Sequence, residues 1–341
     1  MNNNKLFAAN VLASSVLALG TMAGGAFAAD ECGSVTIAEM NWASASLLAN
    51  VDAIILEEGY GCDVDIISGD TTPTFTSMNE KGEPDLAPEL WVNAVREPLA
   101  KAVEEGRMVS ALEGPITGLG EGWWVTKKFK EDHPEIDTVE KMLAHPELVP
   151  YIEDESKGAF MGCPAGWGCQ LANANMFRAF DMEEKGWVLV DPGSAAGLDG
   201  SIAKAVNRDE PWFGYYWAPT AVIGKYDLQM LPFEADWAGT ENWDGCMVKS
   251  VDECADPQPS SWTDSVVHSV VTAQFAEENA VTMGYLENRV FPGDEMNAML
   301  VYMNENQATG EDAAFEFLAT KEDIWTQWVP EEIAEKVKDA L

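Results

Sequence analysis

Residues 158–181, "GAFMGCPAGWGCQLANANMFRAFD", join three patterns in succession. A short apolar run predicts a strand over 158–163, a loop closed by two cysteines follows, and residues 170–181 have the spacing of a helix. A strand that turns directly into a helix is the unit of open α/β sheets. The loop places Trp167 between two glycines, and three interpretations are open for it: a redox site, a metal site, or a rigid mount for the indole.

The same alternation extends in both directions from this stretch. We predict strands over 34–40, 63–68, 84–91, 187–191, 212–217 and 228–233, and helices over 45–58, 97–105, 138–147 and 194–207. Residues 73–80 form a turn or a short helix, and residues 115–128 form an unusually long extended run. From Asp264 to the end the pattern is helical throughout. Alternating strands and helices predict parallel, doubly wound sheets, in two blocks joined by the extended run.

The first 29 residues are typical of a secretory signal peptide. A weakly basic start at Lys5 leads into an apolar stretch, which ends in small residues with an Ala-x-Ala pattern at 26–28. A membrane anchor is the alternative, but the apolar run is short and is interrupted by Ser14, Ser15 and Gly20. We therefore expect an exported, soluble protein of the periplasm.

The net charge and the cysteines limit which partners, metal sites and redox sites the protein can have. With 58 acidic against 20 basic residues, the net charge of −38 disfavours nucleic acid and anionic membranes as partners. In an oxidising compartment six cysteines predict three disulfides, which we pair locally as Cys32–Cys62, Cys163–Cys169 and Cys246–Cys254. Zinc is disfavoured because none of the three histidines lies at ligand spacing to a cysteine pair, and no Cys-x-x-Cys redox motif occurs.

Tryptophans stand where the predicted strands end. Ligands of open α/β sheets bind beyond the carboxyl ends of the strands, and Trp42, Trp91 and Trp217 fall there. Indole faces around one cleft attract a quaternary ammonium, at roughly 0.5–2 kcal/mol for each contact. The helix that begins near Gln170 would point its free N–H groups at an acceptor beside Gly168 and Cys169. We therefore expect a ligand with one methylated, cationic end and one acceptor end.

Three stretches, "ELWVNAVREPL" (89–99), "GCPAGWGCQ" (162–170) and "GYYWAPT" (214–220), resemble the substrate-binding proteins of ABC importers for glycine betaine, proline betaine and choline. "GWWVTKK" (122–128) is a weaker fourth match. The resemblance implies that Trp91, Trp167 and Trp217 form an aromatic box, and that the N–H groups of Gly168 and Cys169 hold the oxygen end of the ligand. Trp42 matches an aromatic residue of choline binders, and Trp123 lies where the family often has tyrosine.

The resemblance also implies the architecture: an α/β, two-lobed periplasmic binding protein of type II, each lobe a doubly wound sheet, with the ligand in the interlobe cleft. We assign residues 30–120 with 262–341 to lobe 1, 121–233 to lobe 2, and 234–261 to an acidic, disulfide-closed insertion. The implied partners are a small methylated amine and an ABC permease with its ATPase, and we expect a monomer without a required cofactor.

Two positions depart from the family. Betaine binders place a histidine four residues after the first box tryptophan, where this chain has Val95, with Asn93 and Arg96 nearby. Choline binders place an aspartate two residues after their first tryptophan, where this chain has Ser44. Trimethylamine N-oxide, which has three methyl groups and one strongly accepting oxygen, thus becomes a candidate ligand beside glycine betaine. Choline, dimethylsulfoniopropionate and a chemosensory role of the same fold are the alternatives.

Acidic residues supply two further hypotheses. Glu121 shares a strand face with Trp123 and can place a carboxylate near the cation, as can Glu39; solvated surface acids are the competing interpretation. The acids of residues 234–256 can offer oxygen ligands to calcium, but they match no EF-hand spacing, and a solvated loop is the alternative. A secreted hydrolase is the rival class, although no Gly-x-Ser-x-Gly occurs and the histidines lie outside the aromatic motifs. We expect a binding protein rather than an enzyme.

Overall fold

The computed structural model describes residues 32–341, so the predicted signal peptide lies outside the described residues. The strands are β1 (Ser34–Met40), β2 (Asp63–Gly69), β3 (Leu86–Trp91), β4 (Met108–Glu113), β5 (Gly120–Val125), β6 (Pro150–Tyr151), β7 (Asp154–Met161), β8 (Trp187–Val190), β9 (Phe213–Ala218), β10 (Gln229–Leu231) and β11 (Val267–Thr272). They form two sheets, as the alternating pattern predicts.

The helices lie between these strands and continue to the C-terminus. They are α1 (Ala43–Ile54), α2 (Thr71–Lys81), α3 (Arg96–Glu104), α4 (Lys127–Asp132), α5 (Val139–Leu143), α6 (Gly168–Ala179), α7 (Ala195–Asn207), α8 (Ala221–Tyr226), α9 (Thr240–Asn242), α10 (Ala273–Glu278), α11 (Ala280–Leu286), α12 (Gly293–Asn306), α13 (Gly310–Thr320), α14 (Glu322–Trp325) and α15 (Glu331–Ala340). From residue 32 onward, no helix is long and apolar enough to cross a membrane.

The first sheet has the strand order β2-β1-β3-β11-β4. Strand β1 pairs in parallel with β2 and β3, and its carboxyl end is therefore on the same sheet edge as theirs. Strand β11 runs antiparallel to β3 and β4. Four of the five strands thus run in one direction and β11 runs against them, whereas the alternating pattern predicts an entirely parallel sheet.

Strand β11 corrects the prediction that the chain is helical throughout from Asp264. The run "VHSVVT" is rich in β-branched residues and lies between two strands, where four of its residues have no exposed surface. Such a short buried run cannot be told from a buried helix by its spacing alone. Burial between two strands makes it a strand here, because branched side chains pack well on a pleated surface.

The second sheet has the order β10-β5-β9-β7-β6, with β8 paired to β7. Strands β7, β8 and β9 are parallel to one another, whereas β5 is antiparallel to both β9 and β10. The long extended run predicted over 115–128 is shorter than expected, because only Gly120–Val125 is a strand and a helix begins at Lys127. The lobe boundaries that we drew from the sequence stay a prediction.

All three predicted disulfides are present: Cys32–Cys62, Cys163–Cys169 and Cys246–Cys254. The first joins the residues that precede β1 and β2, and its Cα atoms lie 4.7 Å apart because those strands are neighbours. The other two close short loops. The Cys163–Cys169 disulfide therefore restrains the loop that carries Trp167, in agreement with the interpretation of this loop as a rigid support for the indole.

One ion pair is completely buried beneath the first sheet. The Nε atom of Arg289 lies 2.7 Å from Oδ1 of Asp52, and neither side chain has exposed surface. Burial raises the pKa of Asp52, and the Arg289 guanidinium and a hydrogen bond from the Tyr285 hydroxyl oppose that shift. In such a pair, each charge is stabilised by the other, because neither is in contact with water.

Candidate functional site

Four of the predicted tryptophans converge on one cavity. Trp42 follows β1, Trp91 ends β3, Trp217 lies near the end of β9, and Trp167 precedes α6. The carboxyl ends of the strands therefore supply the walls, as expected for an open α/β sheet. The lining residues are Trp42, Thr71, Trp91, Asn93, Ala94, Glu121, Trp167, Gly168, Cys169, Ala172, Tyr215, Trp217, Trp243, Val248 and Trp262.

Six aromatic rings of the cavity contact one another in a continuous series. Trp167 lies between Trp42 and Trp217, with centroid distances of 5.4 and 5.0 Å and edge-to-face angles of 75° and 85°. The series continues from Trp217 through Tyr215 and Trp262 to Trp243. Edge-to-face contacts of this kind are favourable because the positive ring edge meets a negative ring face. Each ring of this series is thus supported by at least one neighbouring ring.

The disulfide-closed loop brings the start of α6 to this cavity. The N–H groups of Gly168 and Cys169 have no backbone acceptor among residues 32–341, as expected for the first turn of a helix. A Cβ atom at position 168 would collide with the Cβ atom of Ala94, so only glycine fits there. The loop therefore offers two donors, close to the chain that follows β3.

The same loop is hydrogen-bonded to segments that extend from the first sheet. The indole N–H of Trp167 donates to Oδ1 of Asn41 at 2.6 Å, and the N–H of Thr72 donates to the carbonyl of Gly166 at 3.2 Å. Trp167 is 95% buried. Elements of both sheets thus meet around the cavity.

Glu89, which we did not predict as a functional residue, lies behind two of the lining tryptophans. Its Oε1 atom accepts hydrogen bonds from the indole N–H groups of Trp42 at 2.7 Å and Trp91 at 2.9 Å, and from the Ser44 hydroxyl at 2.9 Å. Burial raises the pKa of Glu89 to about 7, and these hydrogen bonds together with the Arg289 charge oppose that shift. Its position two residues before Trp91 could have indicated this contact, because residues two apart in a strand lie on the same face.

Glu121 lines the cavity, and its contact with a ligand stays a prediction. Its Oε1 atom accepts from the Tyr215 hydroxyl at 2.7 Å, and its Oε2 atom accepts from the side-chain amide of Asn93. Burial raises the pKa of Glu121, and these donors oppose that shift. Glu39, the other candidate, is not part of the lining, because its carboxylate accepts from Ser46 and Asn50 of α1.

Two lining tryptophans come from the region of the acidic segment: Trp243 lies within residues 234–256, which we expected to be a solvated loop or a calcium site, and Trp262 follows the predicted insertion directly. Trp243 is fully buried and donates its indole N–H to the carbonyl of Asn93 at 3.0 Å, and Trp262 contacts its ring. The Asn175 amide fixes this segment by donating to the carbonyls of Cys246, Met247 and Lys249. The indoles among the acids were the available signal, but the acidic surroundings favoured a solvent-exposed interpretation.

The structure does not bring Trp123 to the cavity. Its side chain has no exposed surface, donates to Oδ1 of Asn173 of α6 at 2.8 Å, and packs against Phe160 and Phe213. Glu121 pairs with Trp217 across β5 and β9, whereas Trp123 pairs with Tyr215, one step further from the sheet edge. Glu121 and Trp123 are two residues apart in β5 and so share a strand face. Helix α6 covers the Trp123 side chain, which therefore does not reach the cavity.

At the position where betaine binders have a histidine, the structure shows where Val95 and its neighbours lie. Val95 is buried and does not line the cavity, whereas Asn93 does. Arg96 points to Asp244 at 3.4 Å. Within the described residues, no group of three or more His, Cys, Asp or Glu side chains is arranged to hold a metal ion, and calcium binding in 234–256 stays a prediction.

Comparison with known families decides where this chain belongs. The model of the OpuAC family, the substrate-binding domain of ABC-type glycine betaine transport systems, matches residues 33–320. The chain belongs to this family. Its members are solute-binding components of transporters, in agreement with the resemblance carried by the three motifs.

Individual relatives are distant in sequence. The chain is 22% identical over 322 residues to a trimethylamine N-oxide-binding protein of Pelagibacter ubique, covering 93% of this chain and 97% of that protein. A choline-binding protein solved in complex with choline superposes with a TM-score of 0.68 at 20% identity, over 91% of this chain and 98% of the other. A glycine betaine/L-proline-binding protein of Borrelia burgdorferi gives 0.68 at 17% identity, over 89% and 99%. The fold is thus that of the two-lobed periplasmic binding proteins.

Proposed function

We propose that this protein binds trimethylamine N-oxide in the periplasm and delivers it to an ABC permease. The observation that carries the proposal is the cavity itself, which combines indole walls, two free backbone N–H donors and one acidic side chain. Among residues 32–341, no lysine, arginine or histidine lines this cavity. The distant trimethylamine N-oxide-binding relative, which the chain matches over nearly its whole length, supports the same ligand.

The tryptophans suit the methylated end of this ligand. A trimethylammonium group cannot donate hydrogen bonds, and its positive charge is spread over the methyl surface that it presents to the rings. Each indole face contributes about 0.5–1 kcal/mol at an exposed site and about 2 kcal/mol when desolvated. The buried side chains of Trp42, Trp167 and Trp217 provide the desolvated setting.

The start of α6 suits the oxygen end. An N-oxide oxygen is a strong acceptor, and free N–H groups at a helix N-terminus together with the helix dipole stabilise negative charge. The groups of Gly168 and Cys169 would therefore take the oxygen, with the methyl groups turned toward the rings. A ligand held in this way contacts elements of both sheets, so its binding would favour the closed arrangement of the two lobes.

Glycine betaine is expected to bind more weakly. Its carboxylate carries a full negative charge further from the ammonium group, and the cavity lining within residues 32–341 gives it no basic side chain as a partner. The carboxyl group of Glu121 would instead repel it when ionised. Burying a charge without a partner is costly, which disfavours the larger zwitterion in this cavity.

Calorimetric titration of the mature protein with four compounds tests the ligand assignment. We expect trimethylamine N-oxide to bind at least about tenfold more tightly than glycine betaine, a difference of about 1.4 kcal/mol. Choline and dimethylsulfoniopropionate complete the panel. Choline is the second candidate, because the acidic and base-free lining also suits a ligand with net positive charge. Tightest binding of glycine betaine, or no binding of any of the four, would contradict the proposal.

The affinity for trimethylamine N-oxide is expected to fall as the pH is lowered. Burial raises the pKa of both Glu121 and Glu89, the latter to about 7, so both carboxyl groups take up protons nearer neutrality than ordinary glutamates do. Protonation removes the negative charge that stabilises the ammonium end, so the ionised forms bind more tightly. We expect the Kd to rise at least about fivefold from pH 8.5 to 5.5, in keeping with the linkage between proton and ligand binding. A Kd that is constant or falls over this range would contradict this account.

A further inference from the structure

The carboxylate of Glu89 joins two walls of the cavity through a single oxygen atom. Trp42 immediately precedes α1 and Trp91 ends β3, so the two rings belong to different elements. Both indole N–H groups nevertheless donate to Oε1 of Glu89, at 2.7 and 2.9 Å. Because the carboxylate is completely buried, water does not compete for these hydrogen bonds.

The charge of Glu89 has no direct cationic partner within the described residues. Arg289 is the one cationic group that affects its pKa, but the Nε atom of Arg289 lies 2.7 Å from Asp52. The Nη2 atom of Arg289 donates to the Ser269 hydroxyl at 2.8 Å and to the Pro88 carbonyl. Asp52 is thus the counter-ion of Arg289. When ionised, Glu89 leaves a buried negative charge behind the rings of Trp42 and Trp91.

We propose that Glu89 is the positioning residue of the tryptophan box and also its buried counter-charge. Its shared oxygen fixes the relative orientation of Trp42 and Trp91, and its negative charge stabilises the ammonium end of the ligand through the two rings. This inference rests on the proposed function, since it assigns the residue that orients and selects a cationic head group at the same site.

Two physical effects follow from this arrangement. Fixing two rings before the ligand arrives removes the cost of ordering them on binding. A charge-assisted hydrogen bond from each indole N–H to a carboxylate is stronger than a neutral one, and in a medium of low dielectric constant such bonds polarise the groups that make them. An indole whose N–H donates to a carboxylate has more electron density on its ring faces, which strengthens the attraction of those faces to a cation.

Two substitutions separate the positioning effect from the charge effect. Glu89→Gln keeps an oxygen acceptor for the indoles but removes the charge, whereas Glu89→Leu removes both. By calorimetry at pH 8, we expect Glu89→Gln to raise the Kd for trimethylamine N-oxide about fourfold, and Glu89→Leu to raise it at least tenfold. Near-ultraviolet circular dichroism, which reports ring orientation, should change in Glu89→Leu and stay close to wild type in Glu89→Gln.

Glu39→Gln is the matched control, because it removes a half-buried carboxylate that accepts hydrogen bonds from α1 but does not line the cavity. Its Kd and its spectrum should equal those of the wild type. An unchanged Kd in Glu89→Gln would overturn the counter-charge role, and an unchanged spectrum in Glu89→Leu would overturn the positioning role. If the wild type binds none of the four panel compounds, the proposed function fails, while the spectrum still tests the positioning role.

A measurement on the wild-type protein covers the case in which a variant does not fold. The indole N–H protons of Trp42 and Trp91 should resonate downfield and exchange slowly with solvent, as expected for charge-assisted bonds in a buried site. Trp237, which is 40% exposed, is the internal reference. Exchange of the Trp42 and Trp91 protons as fast as that of Trp237 would overturn the proposal.

Discussion

Replacement of Trp217 by alanine is expected to raise the Kd for trimethylamine N-oxide at least about 30-fold, which corresponds to about 2 kcal/mol. The substitution removes one wall of the box and also the ring that contacts Trp167 edge-to-face at 5.0 Å. Trp167 would lose that support, so a second wall would become less well oriented. Calorimetric titration of the purified variant measures the effect.

Trp212→Ala is the matched control for this variant. Trp212 is 5% exposed and Trp217 is 6% exposed, so both substitutions remove a buried indole, but only Trp217 lines the cavity. Thermal unfolding should show comparable losses of stability. The Kd should rise only for Trp217→Ala, and an equal rise in both variants would mean that general destabilisation, not the box, explains the effect.

Replacement of Asp52 by alanine is expected to lower the free energy of unfolding by about 3–5 kcal/mol, because it leaves a buried charge without its partner. Arg289 is completely buried, and its Nε atom would lose the oxygen that now lies 2.7 Å away. Tyr285 would also lose the acceptor of its hydroxyl. Urea unfolding with intact disulfides, followed by far-ultraviolet circular dichroism, measures the change.

The exposed pair Lys128–Asp132 provides the control for the Asp52 variant. Its charged atoms are also close, at 2.7 Å, but both side chains are about half exposed. Asp132→Ala is therefore expected to change the free energy of unfolding by less than about 0.5 kcal/mol. A loss below 1 kcal/mol in Asp52→Ala would contradict the view that this buried pair is essential to the first sheet.

The convergence of the strand-end tryptophans on one cavity follows from simple rules of strand and sheet geometry. Trp42, Trp91 and Trp217 stand at the ends of apolar runs, and parallel strands place such positions on one sheet edge. The disulfides follow from the same reasoning, since Cys32 and Cys62 precede neighbouring strands. Features within one strand, one turn or one helix start can therefore be derived without coordinates.

The features that the sequence does not reveal depend on tertiary contacts. Strand β11 is a strand because it lies between β3 and β4, which its own spacing cannot indicate. Trp243 and Trp262 reach the cavity because their segment folds back along Asn93 and α6. Trp123 is excluded because α6 covers it. In each case a neighbour that is distant in sequence decides the environment of the residue.

The hydrogen bonds and the pKa of Glu89 also depend on contacts that the sequence does not reveal. Its position before Trp91 is visible in the sequence, but its contact with Trp42 spans 47 residues. That contact turns a glutamate of a strand into a shared acceptor for two indoles. Its burial then raises its pKa to about 7, which no local pattern indicates.

The central claim is that the box around Trp42, Trp91, Trp167 and Trp217 holds the methyl groups of trimethylamine N-oxide. A crystal structure of the complex tests it most directly. We predict the three methyl groups against these rings, and the oxygen within hydrogen-bond distance of the N–H groups of Gly168 and Cys169. A ligand bound outside this cavity, or one whose oxygen faces the rings, would contradict the account.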